Sequence, residues 1–264
     1  MGILNVTPDS FSDGGRFGGV DDAVEAALRM VDDGAAILDV GGESTRPGAD
    51  AVSVDEECAR TVPVIEAIRG RSDAVVSIDT TKAAVAREAL AAGADIVNDV
   101  SGLTFDPDLA AVTAAAGAGL CVMHTPAPPS TMMQHADYDD VVQTVCDALA
   151  ASVTRARAAG IPDEAITVDP GFGFGKRRAE NYTLLRRVDA LGVLGFPVLI
   201  GLSRKRMLRD VVGTDPDAIE HATTAAHVLA ILGGAAILRA HDVRAARSAV
   251  AVAAAWDDPR PADT

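Results

Sequence analysis

Short aliphatic segments alternate with longer amphipathic segments along most of the chain. The short segments are rich in Val, Ile and Leu, whereas the longer ones repeat apolar residues at intervals of three and four positions. This alternation is typical of repeated strand–helix units around a parallel sheet. Eight strands are predicted, at residues 2–5, 36–40, 74–78, 95–98, 119–123, 165–168, 197–200 and 235–238.

The clearest helices are predicted at residues 21–32, 54–69 and 82–92. Gly34 and Gly93 follow two of them and are typical of helix C-termini. A chain of 264 residues with eight such units fits one closed (β/α)₈ barrel, the TIM-barrel fold. We expect a single α/β domain over residues 1–256, followed by a polar tail at 257–264.

Polar residues close all eight predicted strands, and the carboxyl ends of barrel strands are where catalytic groups lie. A single Asp or Asn at such a position often caps the next helix or forms a turn. Eight of them at one mouth would be costly to desolvate, which favours a ligand site. The residues are Asn5, Asp39, Asp79, Asn98, His124, Asp169, Ser203 with Lys205, and Arg239 with His241.

Two chemical groups can be distinguished within this set. Carboxylate, amide and ammonium groups suit a flat heterocycle with alternating donors and acceptors, such as a pterin or a purine. They are Asp79, Asn98, Asp169 and Lys205. The second group, rich in anion-binding donors, suits a phosphate or diphosphate and, through an amide oxygen, a divalent cation. It comprises Asn5, Arg46, Arg239 and His241.

Three glycine-containing loops join these strands to their helices. Residues 171–176 resemble a phosphate cradle but lack the spacing of a Walker loop or of GxGxxG, so they are a weak nucleotide motif. The loops at 5–15 and 41–49 are long and polar, and are either mobile lids that order around substrate or ordinary surface loops.

Composition narrows the class of partner. The net charge of −15 disfavours nucleic acid and anionic membrane surfaces as partners. Neither a membrane span nor a signal peptide is predicted, and three cysteines without metal-ligand spacing favour a reducing cytoplasm. Asp outnumbers Glu 29 to 9, and Arg outnumbers Lys 20 to 3. This bias indicates either adaptation to concentrated salt or the codon usage of a GC-rich genome, and the strong acidity slightly favours salt.

Five motifs together resemble those of dihydropteroate synthases, over nearly the whole chain. They are MGILNVTPDSFSDGG at 1–15, DVGGESTRPGA at 39–49, NDVSG at 98–102, DPGFGFGK at 169–176 and SRKR at 203–206. The resemblance implies a (β/α)₈ barrel, commonly a homodimer. It also implies condensation of 6-hydroxymethyl-7,8-dihydropterin diphosphate with 4-aminobenzoate, which gives 7,8-dihydropteroate and diphosphate for folate synthesis. Ala127 departs from the pattern, since glycine is common at its position.

The resemblance also implies roles for individual residues. The pterin would be held by Asp79, Asn98, Asp169 and Lys205, with Met123 nearby, and the diphosphate by Asn5, Arg46, Arg239 and His241. Asn5 would also bind Mg²⁺. The 4-aminobenzoate pocket, where sulfonamides would compete, would comprise Phe11, Asp13, Thr45, Pro47, Phe174 and Ser203. A carbocation-like displacement is expected, with Arg46, Asp79, Asp169, Lys205, Arg239 and His241 as the catalytic set.

Three alternatives remain. Methyltetrahydrofolate-dependent methyltransferases share the barrel and its pterin-binding residues but need no diphosphate site. The anion-binding residues Arg46, Arg239 and His241 therefore argue against this class. A noncatalytic pterin-binding paralogue and a structural barrel without ligand are the others. Outside the site, His135, His221 and His227 are predicted to be surface or capping residues, and Trp256 a packing anchor for the last helix.

Overall fold

The computed structural model describes residues 1–6, 19–45, 48 and 51–258. Within this part of the chain, strands and helices alternate from end to end. The strands are β1 (Gly2–Asn5), β2 (Ile37–Gly41), β3 (Val75–Asp79), β4 (Ile96–Asp99), β5 (Gly119–Met123), β6 (Ile166–Asp169), β7 (Leu199–Ile200) and β8 (Ile237–Leu238). The helices are α1 (Val20–Asp32), α2 (Val54–Arg69), α3 (Ala83–Ala91), α4 (Leu109–Ala115), α5 (Val141–Ala158), α6 (Arg178–Arg186), α7 (Arg206–Val212), α8 (Pro216–Leu232) and α9 (Val243–Asp257).

The strands form a closed parallel barrel, as predicted. β1 to β6 pair in chain order, and β7 pairs with β8. Two parallel bridges join these groups, one between Val168 and Val198 and one between Gly2 and Ala240. The second bridge closes the ring, because Ile3 N–H donates to Ala240 O at 3.0 Å and Ala240 N–H donates to Met1 O at 3.0 Å.

Strand positions agree with the pattern of apolar residues to within two residues. β1 and β5 have the predicted bounds, whereas β2, β3, β4 and β6 lie one residue later. At the carboxyl ends the difference arises because the last residue of each, although polar or glycine, still pairs in the ladder. β7 and β8 are shorter than predicted, at two residues each.

The predicted helices are also present. α2 has the predicted bounds, and Gly34 and Gly93 follow α1 and α3 with φ of 96° and 110°. This left-handed conformation costs glycine little, which is why glycine is common at helix ends. α9 continues one residue past the predicted domain end, to Asp257, and residues 259–264 lie outside the described part of the chain.

Two predictions about single residues are wrong. Trp256 is 77% exposed on the last turn of α9 and does not anchor that helix against the barrel. His227 is 1% exposed, rather than a surface or capping residue. It occupies an inward-facing position of α8, where the helical pattern places it one position after the buried Ala226. His135 and His221 are exposed, as predicted.

Most of the core consists of aliphatic side chains between the barrel and the surrounding helices. A second, small cluster lies at the barrel mouth and contains Val100, Met123, Met132 and Phe174. Among the described helices, none is both long enough and apolar enough to cross a lipid bilayer.

Candidate active site

The register of the sheet brings the predicted strand-end residues into one row. Asn5 pairs with Gly41, Gly41 with Asp79, and Asp79 with Asn98. A Cβ at Gly41 would be in ordinary van der Waals contact with this row, at 3.5 Å from Asp79 Cβ and 3.9 Å from Asn5 Oδ1. Parallel pairing therefore places an amide, a carboxylate and a second amide side by side at the mouth.

A narrow pocket opens at this mouth. Its walls combine the predicted heterocycle-binding groups with apolar and aromatic side chains, the usual composition of a small-molecule site. The lining residues are Thr45, Asp79, Asn98, Val100, Met123, Asp169, Phe172, Phe174, Gly201, Lys205 and Arg239.

Arg239 forms a buried ion-pair network within the pocket. Its Nε donates to Asp39 Oδ2 and its Nη2 to Asp79 Oδ2, each at 2.6 Å. Asn98 Nδ2 donates to the same Asp39 oxygen at 3.1 Å. Burial raises the pKa of Asp79, against the opposing effect of Arg239. The two carboxylates raise the pKa of Arg239 further, so its guanidinium is permanently charged.

Asp39 occupies a different place from the one predicted. It was assigned to the end of the second strand, but β2 continues to Gly41 and Asp39 lies at its centre, fully buried. Its role as the counter-ion of Arg239 was missed by sequence reasoning. An acid between Leu38 and Val40, inside an apolar strand, was the available signal, because a buried carboxylate requires a partner.

Asp169 and Lys205 occupy the opposite wall. Asp169 Oδ1 accepts a hydrogen bond from Gly171 N–H at 2.7 Å, and burial raises its pKa. Lys205 Nζ lies 4.4 Å from the ring centroid of Phe174, a cation–π distance. Burial, and to a smaller extent Arg239, lowers the pKa of Lys205 to about 8. Its ammonium group is therefore charged near neutral pH, and neighbouring carboxylates balance this charge only in part.

Ser203 and His241 form a pair beside this pocket. Ser203 Oγ and His241 Nδ1 lie 2.9 Å apart, and His241 N–H donates to Ser203 Oγ at 3.2 Å. The ends of β7 and β8 bring them together. Phe11, Asp13, Arg46 and Pro47, also predicted to bind substrate, lie outside the described residues.

A larger groove of about 580 Å³ lies between α3 and α4. Arg87 and Asp108 are its only charged residues, and alanine and aliphatic side chains form the rest of its lining. It lies away from the strand ends that carry the polar residues, so the pocket at the barrel mouth is the better candidate for chemistry.

The donor set at the mouth restricts the metals that it could hold. Over the described residues, no three His, Cys, Asp or Glu side chains cluster as a metal site. Mg²⁺ needs few ligands from a protein, because it keeps several waters and takes further ligands from substrate phosphates. The amide oxygen of Asn5, at the end of β1 beside the pocket, fits such a role.

Comparison with known proteins agrees with this architecture. A model of the pterin-binding enzyme family matches residues 1–241. A probable bifunctional folylpolyglutamate synthase/dihydropteroate synthase of Haloferax volcanii is 53% identical over 259 residues, which cover 98% of this chain and 30% of that protein. The dihydropteroate synthase of Synechocystis sp. is 49% identical over 246 residues, or 93% of this chain and 85% of that one.

A solved structure is similar over almost its whole length. Xanthomonas albilineans dihydropteroate synthase with 4-aminobenzoic acid superposes with a TM-score of 0.92 at 44% identity, covering 99% of this chain and 93% of that one. With a matching family model over most of the sequence and relatives of this identity, the chain belongs to the pterin-binding enzyme family.

Proposed function

We propose that this chain acts as a dihydropteroate synthase. It would condense 6-hydroxymethyl-7,8-dihydropterin diphosphate with 4-aminobenzoate and release diphosphate. The observation that carries the proposal is the single pocket in which Asp79, Asn98, Asp169 and Lys205 converge beside a guanidinium and an aromatic ring. The similarity to named dihydropteroate synthases supports it further.

The pterin would lie among these four polar side chains. Asp169 and Asp79 would accept its ring N–H groups, while Asn98 would both donate and accept and Lys205 would donate. The two buried carboxylates also favour positive charge on the ring, because their own charges are weakly solvated. They would thereby stabilise the carbocation-like state that forms as the diphosphate leaves.

The leaving group would be held at the side of Arg239 and His241. Arg239 keeps donors for an anion, since a guanidinium has five N–H groups and two of them contact Asp39 and Asp79. Arg46 and Asn5 would complete this anion site. Mg²⁺, held in part by Asn5, would supply charge neutralisation on the departing oxygens.

The second substrate would enter beside Phe174. Thr45, Pro47 and Ser203 would line its pocket, with Phe11 and Asp13 closing it, and sulfonamides would compete there. The arylamine is neutral at pH 7, so orientation towards the reacting methylene matters more than a strong base. No nucleophilic side chain is required.

The direct test is an assay of both products. The purified protein is incubated with Mg²⁺, the pterin diphosphate and 4-aminobenzoate in low and in high KCl, and diphosphate and pteroate are measured together. Equal amounts of both are expected. Diphosphate without pteroate would indicate a defective arylamine pocket, and neither product from folded protein would overturn the proposal.

Replacement of Lys205 tests the pterin assignment. Lys205→Ala should weaken pterin binding by at least about tenfold, because it removes a charged hydrogen bond inside the pocket. Binding is measured by calorimetry, with Arg209→Ala as the control, since Arg209 is an exposed cation on the adjoining helix α7. An unchanged affinity in Lys205→Ala would contradict the assignment.

We also propose that the chain forms a homodimer and works in the cytoplasm. Large apolar side chains are exposed at the C-terminal ends of the neighbouring helices α8 and α9, namely Leu229, Leu232, Val252 and Trp256. Trp256 is of a residue type that is enriched at protein interfaces. The free thiols of Cys58, Cys121 and Cys146 support a reducing compartment.

The dimer has a simple test. Light scattering should give about 54 kDa, twice the chain mass of 27.0 kDa, at micromolar concentration. Replacement of Leu229 and Trp256 together by Glu should give the monomer, whereas the matched pair Val193→Glu and Val211→Glu, exposed elsewhere, should leave the dimer intact. A monomeric wild type at this concentration would overturn the proposal.

A further inference from the structure

The segment at residues 170–177, which joins β6 to α6, is called here the β6–α6 loop. It contains the glycine-rich sequence that resembles a phosphate cradle. In the fold its lysine, Lys176, is only 3% exposed and is not among the residues that line the pocket at the barrel mouth. The lysine is therefore placed to act on the loop itself rather than on an anion in the pocket.

Lys176 Nζ is surrounded by acceptors. It lies 2.8 Å from His124 Nδ1 and donates to Gly171 O at 2.9 Å and to Phe174 O at 3.0 Å, with His124 O further away at 3.4 Å. An ammonium group has three donors, and three close acceptors match them. One side chain thus ties both ends of the turn 171–174 to the end of β5.

The turn is built for this arrangement. Gly171 has a φ of +70°, and a Cβ there would lie 2.0 Å from His124 O. Gly175 has a φ of +57°, and its Cβ would lie 2.3 Å from Pro126 Cγ. Asn181 Oδ1 accepts a hydrogen bond from Gly173 N–H at 2.7 Å, from the start of α6. Only glycine allows the loop to pack so closely against the end of β5.

The same turn carries two walls of the pocket. Gly171 N–H binds the carboxylate of Asp169, and Phe174 presents its ring to Lys205. The positions of Asp169 and Phe174 do not depend equally on Lys176. Asp169 belongs to β6 and is fixed by the ladder, whereas Phe174 lies in the turn and its carbonyl is bound directly by the lysine.

We propose that Lys176 is a positioning residue that, with His124 as its acceptor, sets the place of Phe174 and so the affinity for the arylamine substrate. The inference rests on the proposed function, in which Phe174 forms the 4-aminobenzoate pocket. It assigns the glycine-rich loop a role in shaping the second-substrate site instead of binding phosphate.

The protonation states support this arrangement. Burial, together with the charge of Lys176, lowers the pKa of His124 to about 3, so the imidazole is neutral. The ammonium group that faces Nδ1 selects the tautomer in which Nδ1 accepts. Burial lowers the pKa of Lys176 to about 7, so its third donor is present below neutral pH and is lost as the pH rises above 7. Asp169 and Lys205 are the other charged groups that act on Lys176.

The test separates the two substrates. Lys176→Met keeps an unbranched side chain one atom shorter and removes its donors, and should raise KM for 4-aminobenzoate at least about tenfold. The Kd of the pterin diphosphate, measured by calorimetry without arylamine, should stay within about threefold. Tyr138→Phe is the matched control, because it removes the 2.9 Å hydrogen bond from Tyr138 OH to Gly175 O in the same loop. It should leave KM unchanged.

Three results would overturn the proposal: an unchanged KM in folded Lys176→Met, a pterin Kd that rises as much as KM, or an equal rise of KM in Tyr138→Phe. If Lys176→Met does not fold, variants of His124 test the proposal instead. His124→Asn, which keeps an acceptor near Nδ1, should retain the wild-type KM, whereas His124→Leu should raise it, and equal values would overturn the proposal. Failure of the wild type to bind the pterin diphosphate would instead refute the proposed function.

Discussion

At the residue scale, the central feature of the site is a positive charge that is already positioned inside the barrel before substrate binds. Arg239 is fixed by Asp39 and Asp79 before any substrate arrives, so its side chain loses little rotamer freedom on binding an anion. The arrangement has a cost, because Asp39 Oδ1 and Ser77 Oγ are buried with no hydrogen-bond partner among the described residues. At a functional site, stability can be exchanged in this way for preorganisation.

His227 is the residue for which the structure predicts a clear pH effect on stability. Burial lowers its pKa to about 4, and neither ring nitrogen has a hydrogen-bond partner among the described residues. A histidine whose pKa is lower in the folded state is protonated first in the unfolded chain. It therefore causes a loss of stability as the pH falls from about 6.5 towards 4.

His227→Phe should remove this acid sensitivity. The free energy of unfolding of the variant, relative to that of wild type, should be higher at pH 5 than at pH 7 by on the order of 1–2 kcal/mol. Urea denaturation at the two pH values measures the difference. His221→Phe, on the exposed side of the same helix, is the control and should show no such gain. An equal pH dependence of His227→Phe and wild type would refute the assignment.

Residues with a strand-end position could be predicted from the sequence, whereas residues that act through other residues could not. Asp79, Asn98, Asp169 and Lys205 stand at strand ends in the sequence and meet in one pocket. The links from Arg239 to Asp39 and from Lys176 to His124 join positions 200 and 52 residues apart. No local pattern specifies such pairs, because they depend on the closed barrel.

At the scale of elements, an ion cluster anchors the segment after β2. Lys82, at the start of α3, binds the carboxylates of Glu43 and Glu57, and Glu43 Oε1 accepts a hydrogen bond from Val52 N–H at 3.0 Å. Glu57 is fully buried on α2. The cluster therefore connects β2, α2 and α3, and it includes Glu43, two residues before Thr45 of the pocket wall.

Lys82→Met should destabilise the protein strongly. It leaves two carboxylates close together without a counter-ion, one of them fully buried, at a cost of about 3 kcal/mol. The unfolding temperature measures the loss, and Arg157→Met is the control because it breaks an ion pair that is exposed on both sides. Addition of Glu57→Gln to Lys82→Met should recover part of the loss. Equal effects of Lys82→Met and Arg157→Met would contradict this role.

The apolar periodicity predicted the order and nearly all positions of the elements, because each strand is buried on both faces and each helix on one. It was less successful where tertiary contacts determine the length of a strand or the buried face of a helix. Only two residues each of β7 and β8 form a regular ladder, although the aliphatic runs are longer. For Trp256, size suggested burial, but the helix pattern alone did not fix which face of α9 meets the barrel.

At the scale of the whole molecule, charge is unevenly distributed. Residues 176–209 contain nine basic and two acidic residues, whereas the net charge of the chain is −15. This basic segment runs from the loop after β6 into α7, and one of its basic residues, Lys205, lines the pocket. The rest of the molecule carries an excess of carboxylates, which repel one another in dilute buffer.

This distribution makes the response to salt a test of the origin of the acidic bias. The Debye length falls from about 30 Å at 0.01 M to about 3 Å at 1 M salt, so added KCl should screen the repulsion among surface carboxylates. If the bias is an adaptation to salt, the unfolding temperature should rise steeply up to about 0.5 M KCl and then more slowly. NaCl should act equally, because screening depends on ionic strength rather than on the cation. A flat unfolding temperature from dilute buffer to molar KCl would leave codon usage as the explanation for 29 Asp against 9 Glu.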